Sequence, residues 1–189
     1  MDFLGGIPGA FRFTYQDYLS LPEGAAYEIL EGDLRMTPAP GISHQCVIGN
    51  LYKLLEKYSE EHPGAVLMAP VDMVLAEDTV LQPDLIFISR ERRGIVQERG
   101  VFGAPDLVVE VLSPTSLRVD RMVKFRLYGR HGVPELWLVD HAIGLVEIYG
   151  LEETGYEKIG QYSGTDEVHS HVLSGLHFTA DKVFAGPNW

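Results

Sequence analysis

The chain has 189 residues, of which 46% are apolar and 22% charged, a balance typical of a soluble protein with a full hydrophobic core. Its formal net charge of -12 argues against a general nucleic-acid binder, because such proteins neutralise phosphates with basic side chains. No apolar run is long enough to span a bilayer, and the N-terminus lacks the basic and apolar regions of a signal peptide.

The N-terminal part of the chain predicts an arm, a short helix and a hairpin. Residues 1–12 are rich in glycine, so we expect a loosely attached arm. Thr14 is a candidate N-cap for a helix that stops at Pro22-Glu23-Gly24. Two short runs, Tyr27–Leu30 and Leu34–Met36, flank a turn and predict a β-hairpin.

The longest predicted helix begins at a Ser43 cap and stops at His62-Pro63-Gly64. Its apolar residues recur at helical spacing on one face, which is typical of a helix packed on a core. The helix carries the single cysteine, Cys46, which excludes an internal disulfide and fits a reducing cytoplasm. We interpret Cys46 as a small buried residue rather than a nucleophile.

The rest of the chain predicts a series of strands, a second main helix from about Ser116 to His131 with Gly132 at C′, and a turn near Asp181–Phe184. Strands grouped with two main helices indicate an α/β fold, bordering on α+β, with a mixed sheet whose centre lies within residues 85–139. No linker or repeat is visible, so we expect a single domain over residues 1–189. The predicted strands are Ala65–Met68, Val71–Leu75, Leu85–Ile88, Leu107–Leu112, Glu135–Val139 and Leu145–Tyr149.

Two of these strands are introduced by the same tripeptide, Pro-Asp-Leu, and the second contains Glu110 in an apolar run. A carboxylate there is costly unless it is paired, protonated or bound to metal. Asp106 points to the same side as Glu110 but lies about 13 Å along the strand, too far to share one small cation. Asp84 instead opens a strand that can lie beside that of Glu110, with side chains about 5 Å apart.

These acidic residues each have an ordinary interpretation. Glu110 fits a core glutamate paired with Lys124 or an arginine, although we favour a functional carboxylate. Asp84 and Asp106 both fit polar residues at the entry of a strand, and we assign Asp106 to that role. Asp140, which follows a predicted strand, is most simply a turn residue.

Lys124 is a third candidate, because on the predicted helix it lies one turn from both Asp120 and Tyr128 and leans toward the sheet. The spacing of Asp120 and Lys124 also fits an ordinary surface ion pair. Two acids and a lysine at one sheet edge suit metal-dependent phosphodiester hydrolysis. The acids would hold Mg²⁺, the metal would polarise phosphate and lower the pKa of a bound water, and the lysine would orient that water or stabilise charge.

Basic residues are concentrated on either side of Glu110. Residues 90–130 contain nine of the 15 Lys and Arg residues but only five of the 27 Asp and Glu residues. A solvated helix face explains this asymmetry equally well, since acidic and basic segments can mix in space. The distribution therefore permits a polyanionic ligand without requiring one.

Six motifs occur in order over about residues 14–150: YEILEGDL, SHQ, PDLIFI, PDLVVEVLSPTS, D-x-x-x-K-x-x-x-Y from Asp120 to Tyr128, and GVPELWLVD. Together they resemble the PD-(D/E)XK restriction-endonuclease-like superfamily, and most closely its Uma-two branch of bacterial endonucleases. The resemblance implies an α/β core with a mixed sheet flanked by helices. It also implies DNA cleavage that depends on a divalent metal, Mg²⁺ or Mn²⁺.

Carried over by position, the resemblance makes Asp84 and Glu110 the metal ligands. The pattern E-x-K would place lysine at Leu112, so the chain departs from the superfamily there. The family likeness implies that the lysine has moved to the following helix, at Lys124. These three residues are the expected catalytic set.

Four further residues are expected to line the same site. Glu28, in YEIL, fits either an additional acid near the site or a glutamate on the surface of the hairpin. His44 fits a residue of the cleft, although a histidine in the capping turn of its helix is the interpretation we favour. Asp120 and Tyr128 accompany Lys124 in its motif.

Three function classes follow from these features. We favour a Mg²⁺-dependent endonuclease that acts on DNA, is cytoplasmic and has no membrane partner. We expect a homodimer, because duplex cleavage needs two cuts. The alternative is a catalytically silent binding or regulatory module with the nuclease fold, which the acidic composition and the missing E-x-K lysine favour. A small-molecule hydrolase comes last, since the sequence has no G-x-S-x-G motif or P-loop.

Overall fold

The computed structural model describes residues 11–22, 26–37, 39–112 and 119–186, and only the backbone of residues 119–121. The elements are α1 (Tyr15–Tyr18), β1 (Tyr27–Leu30), β2 (Asp33–Met36), α2 (Ile42–Ser59), β3 (Gly64–Met68), β4 (Met73–Ala76), β5 (Thr79–Leu81), β6 (Leu85–Ser89), β7 (Val96–Gln97), β8 (Gly100–Phe102), β9 (Leu107–Leu112), α3 (Phe125–Arg130), β10 (Glu135–Asp140), β11 (Leu145–Glu152), β12 (Gly155–Ser163), β13 (Glu167–His169) and β14 (His177–Thr179).

The strands form three sheets, and the second of them is the centre of the fold. The first sheet has the order β2-β1-β5-β4-β8-β7, the second β12-β11-β10-β9-β6-β3, and the third pairs β13 with β14. In the second sheet β9 and β10 run parallel and the other pairs run antiparallel. The mixed sheet is therefore confirmed, and β6, β9 and β10 occupy the central positions expected for residues 85–139.

Alternate side chains of the second sheet enter two different cores. One face packs against α2, with Leu85, Val109 and Trp137 among the buried residues. The opposite face, which carries Val108, packs against α3 and against residues of the first sheet such as Met73. Since side chains alternate along a strand, Glu110 lies on this second face.

The N-terminal prediction is confirmed in its cap and wrong in its stop. Thr14 Oγ1 accepts a hydrogen bond from Asp17 N at 3.3 Å, and Asp17 Oδ2 accepts one from Thr14 N at 2.8 Å. The helix ends at Tyr18, before the predicted stop. Residues 1–10 of the predicted arm lie outside the described part of the chain, whereas Arg12 donates a hydrogen bond to the Glu31 carbonyl.

The helix α2 begins two residues earlier than predicted, with its N-cap at Gly41 instead of Ser43. Its N-cap is Gly41, whose backbone is extended, and Ser43 lies inside the first turn, so the predicted Ser43 cap is wrong. Gly41 provides no side-chain cap. Cys46 lies on this helix and is half-buried rather than buried. Within the described residues, neither α2 nor any shorter helix is long and apolar enough to cross a membrane.

The predicted second helix is irregular. Its described part opens with a π-helical turn, Val119–Lys124, which continues directly into α3, and the predicted start at Ser116 lies outside the described residues. Gly132 has φ +80°, the left-handed conformation expected of a C′ glycine, so this prediction is confirmed. A π-helical turn widens the helix and often occurs at functional sites.

Candidate active site

Lys124 lies between two buried glutamates. Its Nζ is 2.9 Å from Glu28 Oε1 and 3.1 Å from Glu110 Oε1, and all three side chains are at most 6% exposed. Tyr128, one turn along α3, donates a hydrogen bond to the same oxygen of Glu110. The lean of Lys124 toward the sheet is confirmed. The surface ion pair with Asp120 stays untested, because the Asp120 side chain lies outside the described residues.

Glu28 is a component of this cluster and not a surface residue of the hairpin. It lies on β1 with 4% of its surface exposed, so the surface alternative is wrong. Besides Lys124, its Oε1 accepts a hydrogen bond from the Gln82 backbone N–H at 2.8 Å. The hairpin places Glu28 because β1 pairs with β5, which ends immediately before Gln82.

The cluster contains two carboxylates and one ammonium group in a region closed to water. Removing one partner from a buried ion pair leaves an uncompensated charge, which typically costs 3–5 kcal/mol. Lys124 therefore holds Glu28 and Glu110 at this position, and they hold its ammonium group in return.

Asp84 forms a second cluster with His44. Asp84 Oδ1 is 3.0 Å from His44 Nε2, and its Oδ2 accepts a hydrogen bond from Val111 N at 2.7 Å. His44 lies in the first turn of α2, the turn that the favoured interpretation gave it, and its buried ring pairs with Asp84. Its other ring nitrogen, Nδ1, is buried without a hydrogen-bond partner among the described residues.

The two clusters meet on β9. The antiparallel register of β6 and β9 pairs Leu85 with Val109, and one further step places Asp84 opposite Glu110. Opposed residues of antiparallel strands have Cβ atoms about 4.5–5.5 Å apart. The expectation that Asp84 lies beside Glu110 therefore agrees with the register, and Val111, which holds Asp84, follows Glu110 directly.

Asp106 and Asp140 have the ordinary roles predicted for them. Asp106 Oδ2 accepts a hydrogen bond from Ser89 N at 2.6 Å, and its Oδ1 is 3.0 Å from Arg92 Nε. Asp140 Oδ1 accepts one from Ala142 N at 3.0 Å, which closes the turn after β10. Asp106 thus joins two segments at the entry of β9 and has no contact with Glu110.

Part of the basic segment is neutralised within the protein. Arg126 and Arg130 on α3 both pair with Glu31, at the turn between β1 and β2. Sequence reasoning missed this contact, although Arg126 and Arg130 are four residues apart and therefore share a helix face. The contact fixes α3 to the hairpin that carries Glu28.

Two of the carboxylates at this site suit one mode of divalent-metal binding. No group of three or more His, Cys, Asp or Glu side chains in the described ranges is arranged to hold a metal ion. Mg²⁺ is commonly bound by one or two carboxylates, with water and substrate phosphate filling its other positions. Asp84 and Glu110, which lie opposite each other in the strand register, are two carboxylates of the number and type that this mode of binding uses.

Comparisons with known proteins agree with this architecture. A crystal structure of a protein from Anabaena variabilis, described as a putative nuclease belonging to DUF820, superposes with a TM-score of 0.76 at 20% identity. The match covers 91% of this chain and 97% of that chain, and it shows the fold. An uncharacterized protein of Synechocystis sp., slr1290, is 32% identical over 83 residues, which is 43% of each chain. The match therefore spans less than half of that relative.

A family model supplies the remaining comparison. The model named Uma2, described as "Putative restriction endonuclease", matches residues 15–181, which is most of the chain. This description supports a nuclease-like function, and the matched region includes both clusters around Glu110 and Asp84. The chain therefore belongs to the Uma2 family of restriction-endonuclease-like proteins.

Proposed function

We propose that the protein is a divalent-metal-dependent endonuclease that hydrolyses phosphodiester bonds in DNA. The observation that carries this proposal is the buried Lys124, whose ammonium group lies 2.9 Å from Glu28 and 3.1 Å from Glu110, the residue opposite Asp84 in the strand register. Acidic ligands and a lysine at one place are the groups that phosphodiester hydrolysis needs.

Asp84 and Glu110 would hold the metal, Mg²⁺ or Mn²⁺, which when bound would polarise the phosphate and lower the pKa of a water molecule. Lys124 supplies a positive charge beside these ligands, where it stabilises negative charge that develops on phosphate oxygens. Glu28 and Tyr128 are positioning residues, because Glu28 holds Lys124 and Tyr128 holds Glu110.

His44 is a positioning residue for Asp84. The ring N–H at Nε2 and the Val111 backbone N–H each occupy one oxygen of the Asp84 carboxylate. Two donors on two oxygens fix the plane of the carboxylate, which keeps its remaining lone pairs in a constant direction.

The repeated Pro-Asp-Leu tripeptide provides a matched experiment. We expect the purified protein to nick supercoiled plasmid with Mg²⁺ or Mn²⁺, and Asp84→Asn and Glu110→Gln to lose nicking by at least about 100-fold. Asp106→Asn is the control, because Asp106 is the aspartate of the second Pro-Asp-Leu and, among the described residues, its side chain pairs with Ser89 and Arg92. It should retain activity.

Two results would contradict the nuclease proposal. One is the absence of cleavage of any DNA or RNA substrate with either metal by folded protein. The other is full activity in both Asp84→Asn and Glu110→Gln, since the activity would then come from another site or a contaminant.

We also propose that the active form is a cytoplasmic homodimer. Cleavage of a duplex needs two cuts, and two copies of the 21.0 kDa chain would each supply one site. The single cysteine fits a reducing compartment. Sedimentation with DNA and the ratio of linear to nicked product in one binding event test the dimer, and a monomer that only nicks contradicts it.

A catalytically silent binding or regulatory module is the second candidate. It is favoured by the pairing of Lys124 with both Glu28 and Glu110, which leaves the cluster stable on its own, and by the net charge of -12. Calorimetric titration with Mg²⁺ and Mn²⁺ separates the two candidates. A silent module would bind no metal, or bind it equally well after Asp84→Asn and Glu110→Gln.

A further inference from the structure

A cavity of about 620 Å³ lies beside the Lys124 cluster and is not part of it. Its walls come from α1, the segment before β4, and the β7–β8 hairpin, which forms one edge of the first sheet. Ligand pockets in proteins commonly have volumes of about 300–1,000 Å³. The cavity therefore has room for a group the size of a nucleobase.

One wall presents hydrogen-bond acceptors that are held in place. Asp72 Oδ1 accepts hydrogen bonds from Tyr18 OH at 2.7 Å and from Gln82 Nε2 at 2.8 Å. Asp72 Oδ2 and Gln82 Oε1 take part in no hydrogen bond with the described residues, and both side chains line the cavity. Two oriented acceptors therefore remain for a ligand.

The donor role of Tyr18 is secure over the physiological pH range. Burial of its ring and its hydrogen bond to Asp72 both raise the pKa of the Tyr18 phenol above its ordinary value. The phenol therefore keeps its proton and keeps donating to Asp72 Oδ1. Two neutral donors, Tyr18 OH and Gln82 Nε2, therefore direct the Asp72 carboxylate.

The backbone of Asp72 is held as firmly as its side chain. Its carbonyl accepts a hydrogen bond from Val101 N at 2.8 Å. Gly100 has φ +151°, and a Cβ at that position would lie 2.5 Å from the same carbonyl oxygen. Only glycine permits this close approach of β8 to Asp72, so the acceptor wall is rigid before a ligand arrives.

Gln82 connects the cavity with the candidate active site. Its side chain faces the cavity, while its backbone N–H donates to Glu28 Oε1 at 2.8 Å, and it precedes Asp84 by two residues. A group in the cavity would thus lie close to a phosphate at the Asp84–Glu110 pair. The apolar part of the wall includes Val71 and Val96, which suit the faces of a flat ring.

We propose that this cavity binds one nucleobase of the nucleic-acid substrate and prefers a base that presents N–H donors, guanine first. Guanine offers N1–H and an exocyclic amino group side by side, which match two acceptors, whereas thymine offers one N–H between two carbonyls. This inference rests on the proposed nuclease function, and it adds selection of a base next to the cut.

Neutral nucleosides test the cavity apart from the catalytic site, because they lack the phosphate that Lys124 would attract. In NMR titrations without metal, we expect deoxyguanosine to bind at least about 10-fold more tightly than thymidine, the ratio expected of one good base contact. Asp72→Asn replaces an acceptor by a donor and should abolish the preference. Asp181→Asn removes one negative charge at an exposed residue that does not line the cavity, and it should retain the preference.

A second variant guards against misfolding of Asp72→Asn. Val96 is exposed at 43%, so Val96→Trp fills the cavity from its edge without burying a new group and should weaken both nucleosides. Equal affinity of the wild-type protein for the two nucleosides overturns the proposal, and so does a preference that survives in Asp72→Asn.

Mapping of cleavage ends separates this proposal from the nuclease proposal. If the wild-type protein cuts DNA preferentially beside guanine and Asp72→Asn cuts without preference, both stand. If the protein cuts DNA and Asp72→Asn leaves the distribution of cuts unchanged, base selection by the cavity is wrong and the nuclease assignment stands. If nothing is cut but deoxyguanosine binding depends on Asp72, the nuclease assignment fails and the base site remains.

Discussion

Two buried glutamates on neighbouring parallel strands have opposite kinds of partners. Glu135, at the start of β10, is fully buried, and its carboxylate accepts hydrogen bonds from Trp137 Nε1, Ser170 Oγ, His171 N and Val172 N. Those donors are neutral. Glu110, on β9, instead shares the ammonium group of Lys124 with Glu28.

The difference in partners separates a structural glutamate, Glu135, from a glutamate of the candidate site, Glu110. Glu135 is satisfied by four donors, and it ties the loop before β14 to the central sheet. Within the described part of the chain, Glu110 pairs with the ammonium group of Lys124, which Glu28 also contacts, and accepts a hydrogen bond from Tyr128. A buried carboxylate is therefore not by itself a functional signal, and these two glutamates differ in whether a cation is among their partners.

The largest effect should come from removing the shared cation. Lys124→Met leaves Glu28 and Glu110 buried without their cation, and we expect a loss of about 3–5 kcal/mol of unfolding free energy. Urea denaturation measures it. Arg130→Met is the matched control, because Arg130 is 66% exposed and its partner Glu31 is 30% exposed, and it should cost less than about 1 kcal/mol. Equal costs in the two variants would contradict the burial argument.

Amide substitutions at the two glutamates should divide stability from activity. In Glu135→Gln at least one amide N–H faces another N–H donor, so we expect a loss of about 2–3 kcal/mol with unchanged metal binding. Glu110→Gln keeps an acceptor for Lys124 and Tyr128 and should lose less than about 1 kcal/mol, while proposed nicking is abolished. Denaturation and calorimetry on both variants check the division, and the reverse pattern would exchange the roles assigned here.

Removing the hydroxyl group of Tyr128, which donates a hydrogen bond to Glu110, should have an intermediate effect. Tyr128→Phe removes one donor from a buried carboxylate, which typically costs about 1–2 kcal/mol. Lys124 remains, so the fold should be retained and proposed nicking should fall while Mg²⁺ affinity changes by less than about 10-fold. Thermal unfolding and titration test this, and an unchanged melting temperature would mean that the contact contributes nothing.

The smallest effect concerns His131, the C-cap residue of α3. Burial and the neighbouring Arg130 lower the pKa of His131 below its ordinary 6.5. The folded state therefore favours the neutral ring, so its contribution to stability is present above pH 6.5 and declines as the pH falls through the lowered pKa. Because the ring is half-exposed, we expect less than about 0.5 kcal/mol. His131→Asn should remove that part of the pH dependence between pH 7 and 5.

Local sequence signals predicted the elements that depend on local chemistry. The strand β9 has the predicted bounds, because an apolar run follows Pro105 and ends before polar residues. Thr14 was identified by the capping role of its hydroxyl, and Gly132 by the left-handed conformation that glycine adopts because it has no Cβ. The strands β5, β7 and β8 were missed, since two or three residues are too few for a period to be visible.

The site was predicted in part, and the errors concern contacts between distant residues. The Asp84–Glu110 neighbourhood followed from strand spacing, and Lys124 from its position on the helix. The burial of Glu28 depends on a helix 96 residues later in the chain, and that of His44 on Asp84, 40 residues away. No local pattern reports such packing, so the sequence leaves two interpretations of Glu28 open and favours a capping-turn position for His44 over a position in the cleft.

Lys124 also has a consequence for how the fold is assembled. Glu28 belongs to the first sheet and Glu110 to the second, so a single ammonium group is shared across the boundary between them. Detachment of the first sheet would remove Glu28 from Lys124 while the second sheet stays intact. Partial opening of this kind needs less free energy than global unfolding. The contacts around Glu110 thus depend on the packing of the first sheet against the second. They would be lost before global unfolding becomes visible by spectroscopy.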